Sequence, residues 1–128
     1  LPEPKDGVMN KFLDIACAIG SGTVAAKLRW PKAEIHGIEL AGPLVRYAHM
    51  RATRLNSEVH FSQQLAEKLD FADNTFDLIY MSTLLHEMPL DEGREAVREA
   101  HRVLRPGGIL VINDMVFMQA LWGLVLTN

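Results

Sequence analysis

The stretch LDIACAIGSGT, Leu13 to Thr23, closes an apolar run with an acid and then carries nothing large until Ile19. An apolar run of this kind reads as a buried strand, and the small residues after it let the backbone turn sharply. Gly20 and Gly22 can adopt conformations closed to other residues. Two readings of the turn are open. It either lets backbone approach a ligand, or it packs a strand tightly against a following helix, which needs small residues too.

Working outward, the chain alternates between two periods. KFLDIA (Lys11 to Ala16), AEIHGIEL (Ala33 to Leu40), EVHFSQ (Glu58 to Gln63), TFDLIYMS (Thr75 to Ser82) and GILVIND (Gly108 to Asp114) are apolar runs of strand length. After Pro43, which suits a first helical turn, Leu44, Ala48, Ala52 and Leu55 recur at helical spacing. A second helix is expected to be capped by Asp91, to place Ala96, Val97, Ala100, Val103 and Leu104 on one face, and to stop at RPGG. A shorter one is expected from near Gly22 to Arg29. Strand and helix alternate, so the strands connect by crossovers into a parallel sheet with helices on both faces. Ligands in such an architecture sit beyond the carboxyl ends of the strands, where ACAIGSG lies.

Length and composition bound the partners. At 128 residues and 48% apolar, the chain supports one domain, 1–128. Its formal net charge of -3 supplies no chain-wide attraction to nucleic acid or anionic lipid. Cys17 is the single cysteine, which excludes an internal disulfide, and the N-terminus shows no secretory pattern, so a cytoplasmic setting is expected. His36, His49, His60 and His101 fall at no metal-ligand spacing, and no metal site is expected. Cys17 reads as a small buried residue.

Two acids decide the ligand chemistry. A pyrophosphate-wrapping loop uses bare N–H groups at a helix start, and Asp14 in the same turn would repel that anion. A sulfonium or ammonium would be attracted. Glu39 ends the second strand nineteen positions after Gly20, where an acid can accept hydrogen bonds from ribose hydroxyls. A nucleoside with a cationic tail satisfies both.

From about Phe12 to Asp114 the chain resembles the class I S-adenosylmethionine-dependent methyltransferases, in particular their small-molecule, quinone-methylase-like branch. DIACAIG is similar to that family's D-x-G-x-G-x-G, with Ala16 and Ala18 at two glycine positions. LAEKLDFADNTFDLIYMSTLLHEMP and RVLRPGGILVIND match longer, more specific family stretches. The resemblance implies a three-layer, Rossmann-like α/β fold, S-adenosyl-L-methionine as cofactor, and a small organic molecule as methyl acceptor. It also implies a cofactor site built from Asp14, Ala16, Ala18, Gly20, Glu39, Leu40, Leu65 and Ala66. The family's adenine-contacting aspartate falls on Leu65, so the Ala66 backbone or Gln64 is expected to serve the ring. Ile19 and Leu40 are read either as apolar cover for the adenosine or as ordinary core.

Methyl transfer asks mainly for alignment and exclusion of water, so few catalytic side chains are expected. His86 in LLHEMP follows the fourth strand and is the candidate proton acceptor; the alternative is that it packs the loop. Glu87 reads as a solvated charge. Relative to the family, the late strands and the helices preceding the first strand are missing, and the chain is expected to be incomplete. The apolar tail MVFMQALWGLVLTN is too short and interrupted to span a bilayer. It reads as a helix seeking cover, and self-association through it or through the edge of the fifth strand is a further expectation. Three functions stay open: a methyltransferase, a silent cofactor-binding or structural relative, and a nicotinamide-dependent oxidoreductase, which Asp14 disfavours.

Overall fold

The computed structural model describes residues 1–115. Five strands, β1 (Lys11–Ile15), β2 (Glu34–Glu39), β3 (His60–Gln63), β4 (Phe76–Ser82) and β5 (Leu104–Asn113), form one sheet in the order β3-β2-β1-β4-β5. Every pairing is parallel, as crossover connections require. The strand order reverses beside β1, whose carboxyl end carries the turn that follows Ile15. Residues 116–128 lie outside the described residues, and with them the helix and self-association expected of the apolar tail.

Side-chain alternation sorts the sheet into two covered faces. Leu13 and Ile15 join Ile38, Ile79 and Met81 against Ala96, Ala100 and Val103 of α3 (Leu90–Val103). On the other face, Phe12, Ile35 and Leu78 pack on Ala26 and Trp30, at α1 (Ser21–Arg29) and its C-cap. Val45, Ala48 and Ala52 of α2 (Gly42–Arg54) close over Phe61 and Val24 beside them. Each large apolar side chain taken fully from water here contributes roughly 1.5–3 kcal/mol. The layered α/β architecture read from the sequence is the one observed.

Three local expectations need correction. In α2 the buried stripe is Val45, Ala48 and Ala52, while Leu55 is the exposed C-cap residue. The helix ends at Arg54, so Leu55 lies past its last turn and off the buried stripe. Asp91 does not cap α3: Pro89 holds that position, and Asp91 sits in the first turn, where its charge complements the helix N-terminus. RPGG follows the end of α3 as expected, but the fifth strand starts at Leu104 rather than at Gly108 and takes RPGG into it. The chain passes from Val103 directly into β5, and Leu104 to Ile109 form an irregularity opposite Phe76 to Leu78. Gly108 makes that possible, because a Cβ there would lie 2.9 Å from the Asp77 carbonyl.

Between β3 and β4 the chain forms no helix. Arg102 of α3 holds this connection, donating to the carbonyls of Leu69 (3.0 Å) and Phe71 (2.8 Å) and to Asp73 (2.8 Å), while Glu99 accepts from the Leu69 N–H (2.8 Å). The connection carries Leu65 and Ala66, so this clamp positions one wall of the site described below.

Candidate functional site

The turn after β1 keeps a left-handed backbone without the expected glycines. Ala16 has φ 61°, Ala18 φ 48° and Gly20 φ 75°. Each alanine there costs on the order of 1 kcal/mol relative to a right-handed conformation. Hydrogen bonds hold the turn: Cys17 N–H to Ile38 O (2.9 Å), Gly20 N–H to Cys17 O (2.8 Å) and Val24 N–H to Gly20 O (3.0 Å). Thr83, at the exit of β4, has φ 53°, which is unusual for a β-branched residue. Three strained non-glycine residues thus gather at one sheet edge, where binding sites commonly store strain.

Gly20 answers the question its sequence left open. A Cβ on it would lie 2.5 Å from Phe61 Cζ and 3.3 Å from Ala48 Cβ, so its smallness serves packing as well as the left-handed helix entry. Gly22 meets only an ordinary contact, 3.4 Å from Asp14 Oδ2.

Glu39 ties the turn to the end of β2. Its Oε2 accepts from Ala18 N–H (3.1 Å) and its Oε1 from Ala41 N–H (3.0 Å). The carboxylate is therefore oriented by backbone on both sides. Asp14 lies beneath the start of α1, 4% exposed, accepting a 2.7 Å hydrogen bond from Thr23 Oγ1. Burial pushes its carboxyl up to about 6, against the lowering effect of the Thr23 hydroxyl. Burial, reinforced by Asp14 and Glu39, pushes the Cys17 thiol up to about 12, which leaves it an unreactive packing residue.

A cavity of about 260 Å³ opens at this edge. Ala16, Glu39, Leu40, Leu65 and Ala66 line it from the β1, β2 and β3 ends, and Leu84, Glu87, Met88, Pro89 and Glu92 from the segment after β4. Five residues of the predicted cofactor site thus meet at one cavity. Asp14, Ala18 and Gly20 stand behind that lining and shape the turn. Leu40 is 59% exposed and available as an apolar wall, whereas Ile19 is exposed away from the lining. Gln64 also lines the cavity, but its Oε1 accepts from Asp70 N–H (2.8 Å) and its Nε2 donates to Ser62 Oγ (2.8 Å). Both ends of the amide are engaged, which leaves one lone pair on Oε1 for the substitute-acceptor task expected of it.

His86 lies in a short 3-10 turn, Leu85–Glu87, with Nδ1 2.6 Å from Asp114 Oδ1 and Nε2 3.5 Å from Glu87 Oε1. Its side chain is 10% exposed and sits next to the lining. Asp114 is the residue that sequence reading missed. Its Oδ2 accepts from Leu84 N–H (2.9 Å) and Leu85 N–H (2.6 Å), and its Oδ1 from Met115 N–H (2.7 Å). Burial would raise its carboxyl; the His86 bond and these N–H groups together hold it below the usual carboxylate range. The available signal was position: Asp114 follows β5 as Glu39 ends β2, on the same edge.

Among the described residues, the lining includes Glu39, Glu67, Glu87 and Glu92 and no basic residue. That charge, an oriented ribose-type acid and apolar Leu40 and Leu65 fit a nucleoside bearing a positive sulfonium, and they do not fit a pyrophosphate.

Comparison with known proteins bears on the family and the fold. A family model described as a methyltransferase domain matches residues 12–108. Over 102 residues, 77% of the chain, it is 33% identical to a demethylmenaquinone methyltransferase of Lactiplantibacillus plantarum, 42% of which is covered. The fold is similar to that of the PH0226 protein from Pyrococcus horikoshii OT3 (TM-score 0.79, 27% identity), covering 92% of this chain and 55% of that one. It is also similar to the [4+2]-cyclase SpnF (TM-score 0.72, 33% identity), covering 81% of this chain and 38% of that one. The chain spans less than half the length of the curated relatives it matches.

Proposed function

This chain belongs to the class I S-adenosylmethionine-dependent methyltransferases, and from that membership we propose that it binds S-adenosyl-L-methionine at the 260 Å³ cavity and serves methyl transfer to a small organic acceptor. One observation carries the reading: Glu39, oriented by the N–H groups of Ala18 and Ala41, borders a cavity whose described lining contains acids and no base. When bound, S-adenosylmethionine supplies a methyl group on a sulfonium that is its own leaving group. The residues of this chain bind, orient and exclude water. Glu39 accepts from the ribose hydroxyls, the turn from Ala16 to Gly20 keeps backbone close to the ligand, and Leu40 and Leu65 cover the nucleoside. Asp14 holds the turn's helix entry and adds negative potential behind it.

His86 is the proposed proton acceptor. Asp114 on Nδ1 sets the ring's orientation and leaves Nε2 as its other functional nitrogen. No helix among the described residues is long and apolar enough to cross a membrane, which suits an acceptor met from the aqueous side.

Calorimetric titration with S-adenosylmethionine and its demethylated product S-adenosylhomocysteine tests the binding claim. Micromolar or tighter binding is expected, with a loss of tenfold or more in Glu39→Ala; no heat at millimolar ligand would remove the assignment. His86→Ala should lower transfer by about a hundredfold while leaving product affinity within a few-fold, and unchanged turnover would end its catalytic role. The likeness to SpnF, a [4+2]-cyclase, favours a second reading, in which this domain binds the cofactor without transferring methyl. Methyl transfer to any acceptor would exclude it.

A further inference from the structure

On the cofactor reading above, this cavity must also read the base of its nucleoside. With Glu39 at the end of β2 taking the ribose, the base extends along the cavity toward the β3 side, where Leu40 (59% exposed) and Leu65 (41% exposed) offer apolar area. Such walls suit the faces of a flat ring. The ring's edge still carries polar atoms, and a buried donor left without an acceptor is costly.

Elimination narrows the acceptor. Among the polar side chains of the lining, Glu39 is turned to the ribose, with one backbone N–H on each oxygen, and the single acceptor atom of Gln64 already takes the Asp70 N–H while its amine is held by Ser62. Glu87 is mostly in solvent and lies 3.5 Å from His86, and Glu92 is exposed in the first turn of α3. Glu67 is different. It is half-buried, and its carboxylate has no hydrogen-bond or ion-pair partner among the described residues. It also shares a tight turn with Leu65, closed by Lys68 N–H to Leu65 O at 3.2 Å. The acid is thus held two residues from the apolar wall, with lone pairs to offer.

We propose that Glu67 accepts the hydrogen bond of the base's exocyclic amine, a task that Leu65 has no atom to perform, and so makes the site selective for an amino-purine nucleoside. A carboxylate only accepts, so a base with an oxo group at that position meets lone pairs with lone pairs. Replacing the amine by oxygen therefore reverses the edge from matched to repelled.

Two ligands and three variants test this by calorimetry on the whole chain. The ligands are S-adenosylhomocysteine and S-inosylhomocysteine, which differ in that amine. Wild type should prefer the adenosyl ligand by tenfold or more. Glu67→Ala should lose about tenfold in adenosyl affinity and most of the preference. Glu67→Gln, whose amide can accept or donate, should bind both ligands alike. Leu65→Asp placed on Glu67→Ala should recover the preference. A Glu67→Ala protein that binds as wild type does, with its preference intact, would overturn the proposal and leave the cofactor reading standing. Should wild type bind neither ligand, both fall together. Glu67→Gln guards against a folding artefact, since it keeps shape and hydrogen-bonding capacity, and an undiminished preference in it would also overturn the assignment.

Discussion

Asp14 shows how one buried acid couples the site to stability. Its folded-state carboxyl titrates near 6 because burial penalises the charge, whereas an unfolded chain releases that proton near 3.9. Between these values the folded state binds more protons, so this residue's contribution rises as pH falls through 6 and is complete below about 4. From pH 7 to pH 5 the gain is on the order of 1 kcal/mol. Asp14→Asn, which keeps an acceptor for Thr23, should remove that slope, and urea denaturation of both proteins at the two pH values measures the difference. The identity of Asp14 and its place at the end of β1 were legible in LDIACAIG. Its burial was not, because the cover comes from Thr23 and the start of α1. The alanines at 16 and 18 are a related case: their spacing indicated the turn, and only the observed φ values show that the turn survives them.

At the level of elements, strands were legible because period-two and apolar-run patterns are local, and all five occur within a few residues of their expected positions. Boundaries were not. Pro89, two residues before Asp91, holds the α3 cap, and pairing of Leu104 with Phe76, a contact outside the local window, drew RPGG into β5. The β3 to β4 connection is the clearest example of an element defined from a distance. Its shape depends on Arg102 and Glu99, thirty residues downstream, and it has little apolar periodicity of its own. Arg102→Ala leaves the carbonyls of Leu69 and Phe71 without this donor and should cost about 2 kcal/mol, read as a lower midpoint of urea denaturation. The same variant should weaken S-adenosylhomocysteine binding several-fold, because Leu65 and Ala66 ride on that connection.

For the whole molecule, the parallel sheet places its chemistry at one edge and its anchoring at the other. At the opposite edge, buried Asp77 accepts from the N–H groups of Asn10 and Lys11, 2.7 Å each, and pairs with Arg105. A ligand that binds only the folded cavity stabilises everything joined to it. S-adenosylhomocysteine at one hundred times its Kd should therefore raise the unfolding free energy by about 2.7 kcal/mol, measured by denaturation with and without ligand. An unchanged midpoint would mean that the folded chain does not bind it. The sequence by itself determined the layered α/β class, the turn after β1, and the acids at positions 14 and 39, since each depends on residue type and short-range spacing. Tertiary structure alone decided that Asp114 grips the Leu84 to His86 turn, that Gln64 is spent on Asp70 and Ser62, and that Glu67 stands idle beside Leu65. The first is a pairing between segments about thirty residues apart, and the other two are side-chain choices within one irregular turn; in each, which lone pair meets which donor is settled only in the folded geometry.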